Sequence, residues 1–81
     1  MKKKSAKVPS KKKKYWMSPI PIHDDFGEEL VDIFIDGKTK FGPWGLMTPN
    51  NYKKFGIGVL GLGFGQKYQK QPDGKWLKIE G

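Results

Sequence analysis

The 81-residue sequence contains no cysteine. That absence excludes disulfides and every thiolate metal site, the staples on which domains with a small core often depend. Arginine is also absent, so all sixteen basic residues are lysine. Without the planar guanidinium there is no bidentate reading of guanine or phosphate, and diffuse attraction to phosphate is favoured over base-specific readout. A lysine-biased genome would leave the same pattern. A single histidine leaves little from which to build nucleophilic or acid–base machinery. No apolar run reaches the length of a membrane span or a signal-peptide core.

What is present is charge, sorted along the chain. The formal net charge is +8. Lys2, Lys3, Lys4, Lys7, Lys11, Lys12, Lys13 and Lys14 precede the first acid and lie among almost no apolar residues. Such a segment has nothing to bury, which predicts a disordered lysine-rich arm over residues 1–14 and a single small folded domain over 15–81. The remaining eight lysines match the eight acids, so the folded part is neutral. Within it, residues 15–36 hold six acids and no lysine, whereas residues 37–81 hold eight lysines and two acids. The acidic stretch either folds against the basic one or forms a separate face.

Tyr15 and Trp16 follow directly on the lysine run. Aromatics so placed either stack on bases beside bound phosphates or are the first residues to dock on the core. Ser18-Pro19-Ile20-Pro21-Ile22 reads as extended or polyproline-like, because its prolines block a helix. An acidic turn then leads into a strand over Leu30 to Ile35, a turn at Asp36-Gly37-Lys38-Thr39, and a return strand over Phe41 to Met47 with Gly42-Pro43 at its start. Thr48-Pro49 through Phe55-Gly56 carries helix punctuation: an N-cap threonine, proline at the first position, lysines near the end and glycine beyond. Pro72-Asp73-Gly74, between Lys67–Gln71 and Lys75–Ile79, reads as a hairpin turn.

Between these elements Gly56, Gly58, Gly61, Gly63 and Gly65 interleave with Ile57, Val59, Leu60, Leu62 and Phe64. Glycine is a poor residue for a plain strand, so this reads as a bent or looped segment pinned by its apolar side chains. The expected core is Leu30, Ile33, Ile35, Trp44, Met47, Phe55, Leu62 and Trp76.

Two local patterns suggest chemistry. Gly56-Ile57-Gly58-Val59-Leu60-Gly61 matches the dinucleotide fingerprint in form, but no βαβ unit surrounds it. A weaker version survives, in which the loop's amides with Lys53, Lys54 and Lys67 cradle a phosphate. Asp24, Asp25, Glu28, Glu29, Asp32 and Asp36 read as a solvated acidic face rather than paired catalytic carboxylates. His23 with Asp24 and Asp25 offers too few ligands for a closed metal site.

Asp36-Gly37, Gly42-Pro43-Trp44, Leu46-Met47, Gly56-Ile57-Gly58, Leu62-Gly63 and Gly65-Gln66-Lys67-Tyr68 together resemble a family of small uncharacterised phage and prophage proteins. The resemblance covers about Asp24 to Gly81. Members usually look like zinc ribbons with two C-x-x-C pairs, which here fall on His23 and Phe26 and on Thr48 and Asn51. None of these four is cysteine, so the resemblance implies a metal-free descendant of a zinc-binding fold, with vestigial ligand positions and no cofactor. Phe26 would fill the vacated volume, and Thr48 with Asn51 would cap the short helix.

The resulting expectation is a mainly β, small α+β domain of two β-hairpins and one short helix, zinc-ribbon-like without metal. Its expected role is non-enzymatic: a sequence-tolerant nucleic-acid-binding accessory protein of phage type. The arm lysines would neutralise phosphates of DNA or RNA, with Tyr15, Trp16, Lys53, Lys54, Lys67 and Lys70 extending the footprint. The alternative is a protein-interaction module, directed at a host or virion protein through the acidic strip and solvent-facing Trp44 and Trp76. The expected location is the cytoplasm of a bacterial host, or the virion.

Overall fold

β-Branched and aromatic residues open the first strand, β1 (Ile33–Lys38), and it becomes an inner strand of the sheet. The computed structural model describes residues 13–81. It continues with β2 (Trp44–Met47), the helix α1 (Pro49–Phe55), β3 (Gly65–Lys70) and β4 (Trp76–Glu80). The strands form one antiparallel sheet in the order β2-β1-β3-β4. Two hairpins are thus joined by the β1–β3 pairing, a mainly β, small α+β domain as expected. Most of the expected arm, with Lys2, Lys3, Lys4, Lys7, Lys11 and Lys12, lies outside the described residues.

Two boundaries move. β1 begins at Ile33 rather than Leu30, because the Leu30 N–H donates to the Ile22 carbonyl and is committed to the preceding loop. The turn expected at Asp36 to Thr39 falls later, and Asp36, Gly37 and Lys38 remain in the strand. The chain reverses over Thr39 to Pro43, where the Thr39 N–H and Oγ1 both donate to the Pro43 carbonyl and Gly42 takes φ 108°. β2 accordingly starts at Trp44 instead of Phe41.

The helix and the second hairpin form where expected. Thr48 Oγ1 accepts from the Asn51 N–H at 3.1 Å, Pro49 opens α1, and Lys53 and Lys54 occupy its last turn. The glycine-rich stretch is a loop, with positive φ at Gly58, Gly61 and Gly63.

The sheet buries both faces. On one, Phe34 is fully enclosed by Leu30, Trp76, Trp16, Ile20, Leu46 and Tyr68. On the other, Ile35 and Met47 are buried where α1 packs over β1 and β2. Of the expected core, Leu30, Ile35, Met47 and Trp76 are buried, while Ile33 and Phe55 are half-buried. Trp44 and Leu62 are corrections: both face solvent, Leu62 at 93% exposure. Leu62 sits in a tight turn in which the Phe64 N–H donates to the Gly61 carbonyl, and the positive φ of its two glycine neighbours turns it outward. Trp76 is likewise withdrawn from the expected solvent-facing pair.

Ahead of the sheet, the Lys14 carbonyl accepts from the Lys78 N–H at 2.7 Å and the Trp16 N–H donates to the Trp76 carbonyl at 2.9 Å. This short antiparallel bridge lays Lys14 to Trp16 along the outer edge of β4.

Candidate nucleic-acid interface

The acidic turn before β1 owes its position to one carboxylate. Asp24 Oδ1 accepts from the N–H groups of Phe26 and Glu28, each at 2.9 Å, closing its own turn. Oδ2 accepts from the Thr48 N–H and from Asn51 Nδ2, also each at 2.9 Å. The turn carrying His23 and Phe26 is thereby docked on the helix start carrying Thr48 and Asn51. Thr48 caps the helix, as the sequence implies, whereas the Asn51 side chain serves Asp24. Phe26 lies 4.2 Å from the Phe55 ring in a stacked arrangement, and His23 is exposed. Among the described residues no group of three or more His, Asp or Glu is placed to hold a metal ion.

Burial alone would raise the Asp24 pKa, but the donors of Asn51, Thr48, Glu28 and Phe26 outweigh it and hold the carboxyl below its ordinary range. Asp25 accepts from the Leu46 N–H at 2.8 Å, and Glu28 from Thr48 Oγ1 at 2.5 Å. Three of the six acids of this stretch thus take backbone, amide and hydroxyl donors, and none of the six is ion-paired with a lysine among the described residues. Among the described residues the ion pair is Lys67 with Glu80, at 3.6 Å.

The lysines therefore remain available to an outside partner. The β4 edge gathers Lys13 and Lys14 from the incoming segment with Lys75 and Lys78 from the strand and its turn. Lys70 lies opposite Trp76 in the β3–β4 register. Lys13, Lys14, Lys70 and Lys75 are exposed and Lys78 half-buried. Lys75 and Lys78 were not singled out in the sequence, because only the bridge between Tyr15 and Leu77 brings them beside Lys13 and Lys14.

Elsewhere the expected residues separate. Lys53 and Lys67 meet at a cavity of about 310 Å³ with Gly58, Tyr52 and Leu60, on the Ile35 face of the sheet. The Glu80 carboxylate shares that cavity and pairs with Lys67, which weakens its draw on a phosphate. Lys54 is exposed on α1. Trp16 makes edge-to-face contacts with Phe34 at 5.3 Å and Tyr68 at 5.4 Å, so its ring is engaged within the fold. Tyr15 is half-buried, with Lys75 Nζ 5.8 Å from its ring centroid.

A second aromatic group was read only in part: Trp44 was expected both in the core and, in the protein-interaction reading, facing solvent, while Phe41 was not singled out. Phe41 is 68% and Trp44 45% exposed, and with Phe26 and Pro43 they line an open hollow of about 190 Å³ near the β2 edge. The spacing offered no signal for it, since the loop from Thr39 to Pro43 and the Asp24 turn meet only in three dimensions. No helix is long and apolar enough to cross a membrane among the described residues. In comparison with known proteins, the chain matches no family model, no curated protein and no solved structure.

Proposed function

We propose that the protein is a non-enzymatic, sequence-tolerant nucleic-acid-binding accessory protein, of the phage type its resemblance implies. The observation that supports this most directly is the convergence of Lys13, Lys14, Lys75 and Lys78 at one edge, continuous with the six further lysines of residues 1–12. Of these four, Lys13, Lys14 and Lys75 are exposed and none has a carboxylate partner among the described residues; ammonium groups so placed displace the counterions of a phosphate backbone and gain affinity from their release. All-lysine composition gives this attraction no dependence on base sequence.

The test is affinity for DNA and RNA as a function of salt. Substituting Lys13, Lys14, Lys75 and Lys78 with glutamine is expected to flatten the plot of log affinity against log salt. Each lost phosphate contact should reduce the slope by about 0.7 to 0.9. Unchanged affinity and slope in that variant would reject the edge as the interface.

A protein partner is the second reading. Glu28, Glu29 and Asp32 line an open groove of about 280 Å³ beside Val31, which is itself exposed. Acids around an apolar side chain are suited to a basic segment of another protein. Capture of a stoichiometric protein partner from nuclease-treated lysate would favour this reading over the first.

A further inference from the structure

The lysine edge attracts phosphate, but its Trp16 ring is packed against Phe34 and Tyr68 and its Tyr15 ring is half-buried beside Lys75. The hollow near the opposite edge of the sheet does present rings. We propose that this hollow, between Phe41 and Trp44, is a stacking site for a base of single-stranded nucleic acid, with Lys38 and Lys40 holding the adjoining phosphates. The inference rests on the nucleic-acid reading above and names the strand form that this reading leaves open.

The Phe41 ring is held in place from behind. Phe55 stacks on Phe26 with an interplanar angle of 14°, and Phe41 leans on Phe55 at 6.1 Å. The loop that carries Phe41 is fixed by the Lys40 N–H, which donates to the Phe55 carbonyl at 2.7 Å. Phe41 thus offers exposed surface on a preformed support, with the partly exposed Trp44 across the hollow from it. Stacking of this kind tolerates any sequence, because every base has a π face.

Charge agrees with that occupant. Lys38 lies directly opposite Trp44 in the β1–β2 register, and Lys40 immediately precedes Phe41. Both lysines are exposed and neither has a carboxylate partner among the described residues. The polar groups of the hollow are few. Thr39 Oγ1 is committed to the Pro43 carbonyl, and Asp25 Oδ2 accepts from the Leu46 N–H. Asp25 Oδ1 accepts nothing among the described residues, so it is free to take a hydrogen bond from an exocyclic amine of a base. A duplex keeps its base faces inside the stack and cannot fill the hollow, which makes the site selective for single strands.

The experiment compares binding of a short single strand and a duplex of equal length to the full chain and to a Phe41→Ala, Trp44→Ala variant. Single-strand affinity should fall by roughly 5- to 150-fold, the cost of losing stacking on one base, while duplex affinity is unchanged. A Trp44→Phe chain gives a second readout that does not disturb the fold. Single-strand binding should quench the fluorescence of the wild type and largely lose that signal in Trp44→Phe, with a smaller loss of affinity than in the double variant. Equal affinities of wild type and double variant for the single strand would overturn the inference while leaving the nucleic-acid reading intact. Failure of the wild type to bind either nucleic acid would overturn the reading itself.

Discussion

Asn51 Nδ2 and the Asp24 carboxylate are 27 residues apart in the chain and 2.9 Å apart in the fold. This bond, with that of the Thr48 N–H to the same oxygen, fastens the acidic turn to the helix and sheet. One carboxylate thus takes donors from two separate turns, its own and the one that starts the helix. A buried anion satisfied by four hydrogen bonds can fix such a junction without an ion.

Removal of that carboxylate is the first test. Asp24→Ala leaves the buried donors of Thr48 and Asn51 without an acceptor, and is expected to cost about 3 kcal/mol in chemical denaturation. Because the folded pKa of Asp24 is lowered, its contribution is fully present above the unfolded value of about 4 and fades as pH falls through the folded value. The stability gap between wild type and Asp24→Asn should therefore narrow on acidification below about pH 4. A gap independent of pH would contradict the assigned role.

Asp36 is expected to behave in the opposite sense. It is half-buried without a hydrogen-bond donor among the described residues, and burial, with the nearby Asp25 charge adding to it, raises its pKa. A raised carboxylate pKa favours folding below the unfolded value, and that advantage is lost as pH rises through the folded value. At neutral pH Asp36→Asn should therefore stabilise the protein, by up to about 1 kcal/mol, and the gain should disappear in acid. Tyr68 supplies a spectroscopic check. Burial and then the Asp36 charge raise its pKa, so its absorbance titration should move to lower pH in the variant.

How far the chain was legible follows from the range of its signals. Thr48-Pro49, Pro72-Asp73-Gly74 and the branched and aromatic residues of β1 act over a few positions, and each produced the element read from it, with the start of β1 moved to Ile33. The core was half legible. Phe34 was overlooked because Ile33 and Ile35 flank it on the opposite face, and a one-sided reading discards it; the segment that covers it was read as extended over residues 18–22, with core docking only one of two readings for Trp16. Leu62 was misplaced for a related reason, since composition marks it apolar while the glycines on either side turn it out. The hollow at Phe41 and Trp44 and the lysine edge depend on pairings between distant segments, on which local spacing is silent.

One enclosed side chain and one exposed in the loop make that difference measurable. Phe34 has no exposed surface and packs against Trp16, Tyr68 and Trp76. Phe34→Ala should cost about 3 to 5 kcal/mol in urea denaturation, through lost burial and the cavity left behind. Leu62→Ser should stay within about 0.5 kcal/mol of wild type, because the side chain contributes almost no burial. A large loss at Leu62 would indicate that the loop packs down in solution.

The last test concerns why glycine faces glycine across the centre of the sheet. Gly37 of β1 and Gly65 of β3 are register partners. A Cβ placed on Gly65 would lie 2.9 Å from the Gly37 Cα and 3.1 Å from the Asp36 carbonyl oxygen, both backbone atoms of an inner strand. Neither can move aside without opening the β1–β3 ladder that joins the two hairpins. Gly65→Ala should therefore destabilise by about 1 to 3 kcal/mol from overpacking, although its backbone angles place no demand on glycine. Gly63→Ala provides the contrast: no atom lies within 4 Å of its Cβ, yet its φ of 85° strains any side chain. Its cost should be about 1 to 2 kcal/mol and confined to the loop. Amide hydrogen exchange separates the two. Gly65→Ala should lower protection throughout β1 and β3, and Gly63→Ala only around residues 61–65; uniform loss in both would show that the loop and the sheet open as one unit.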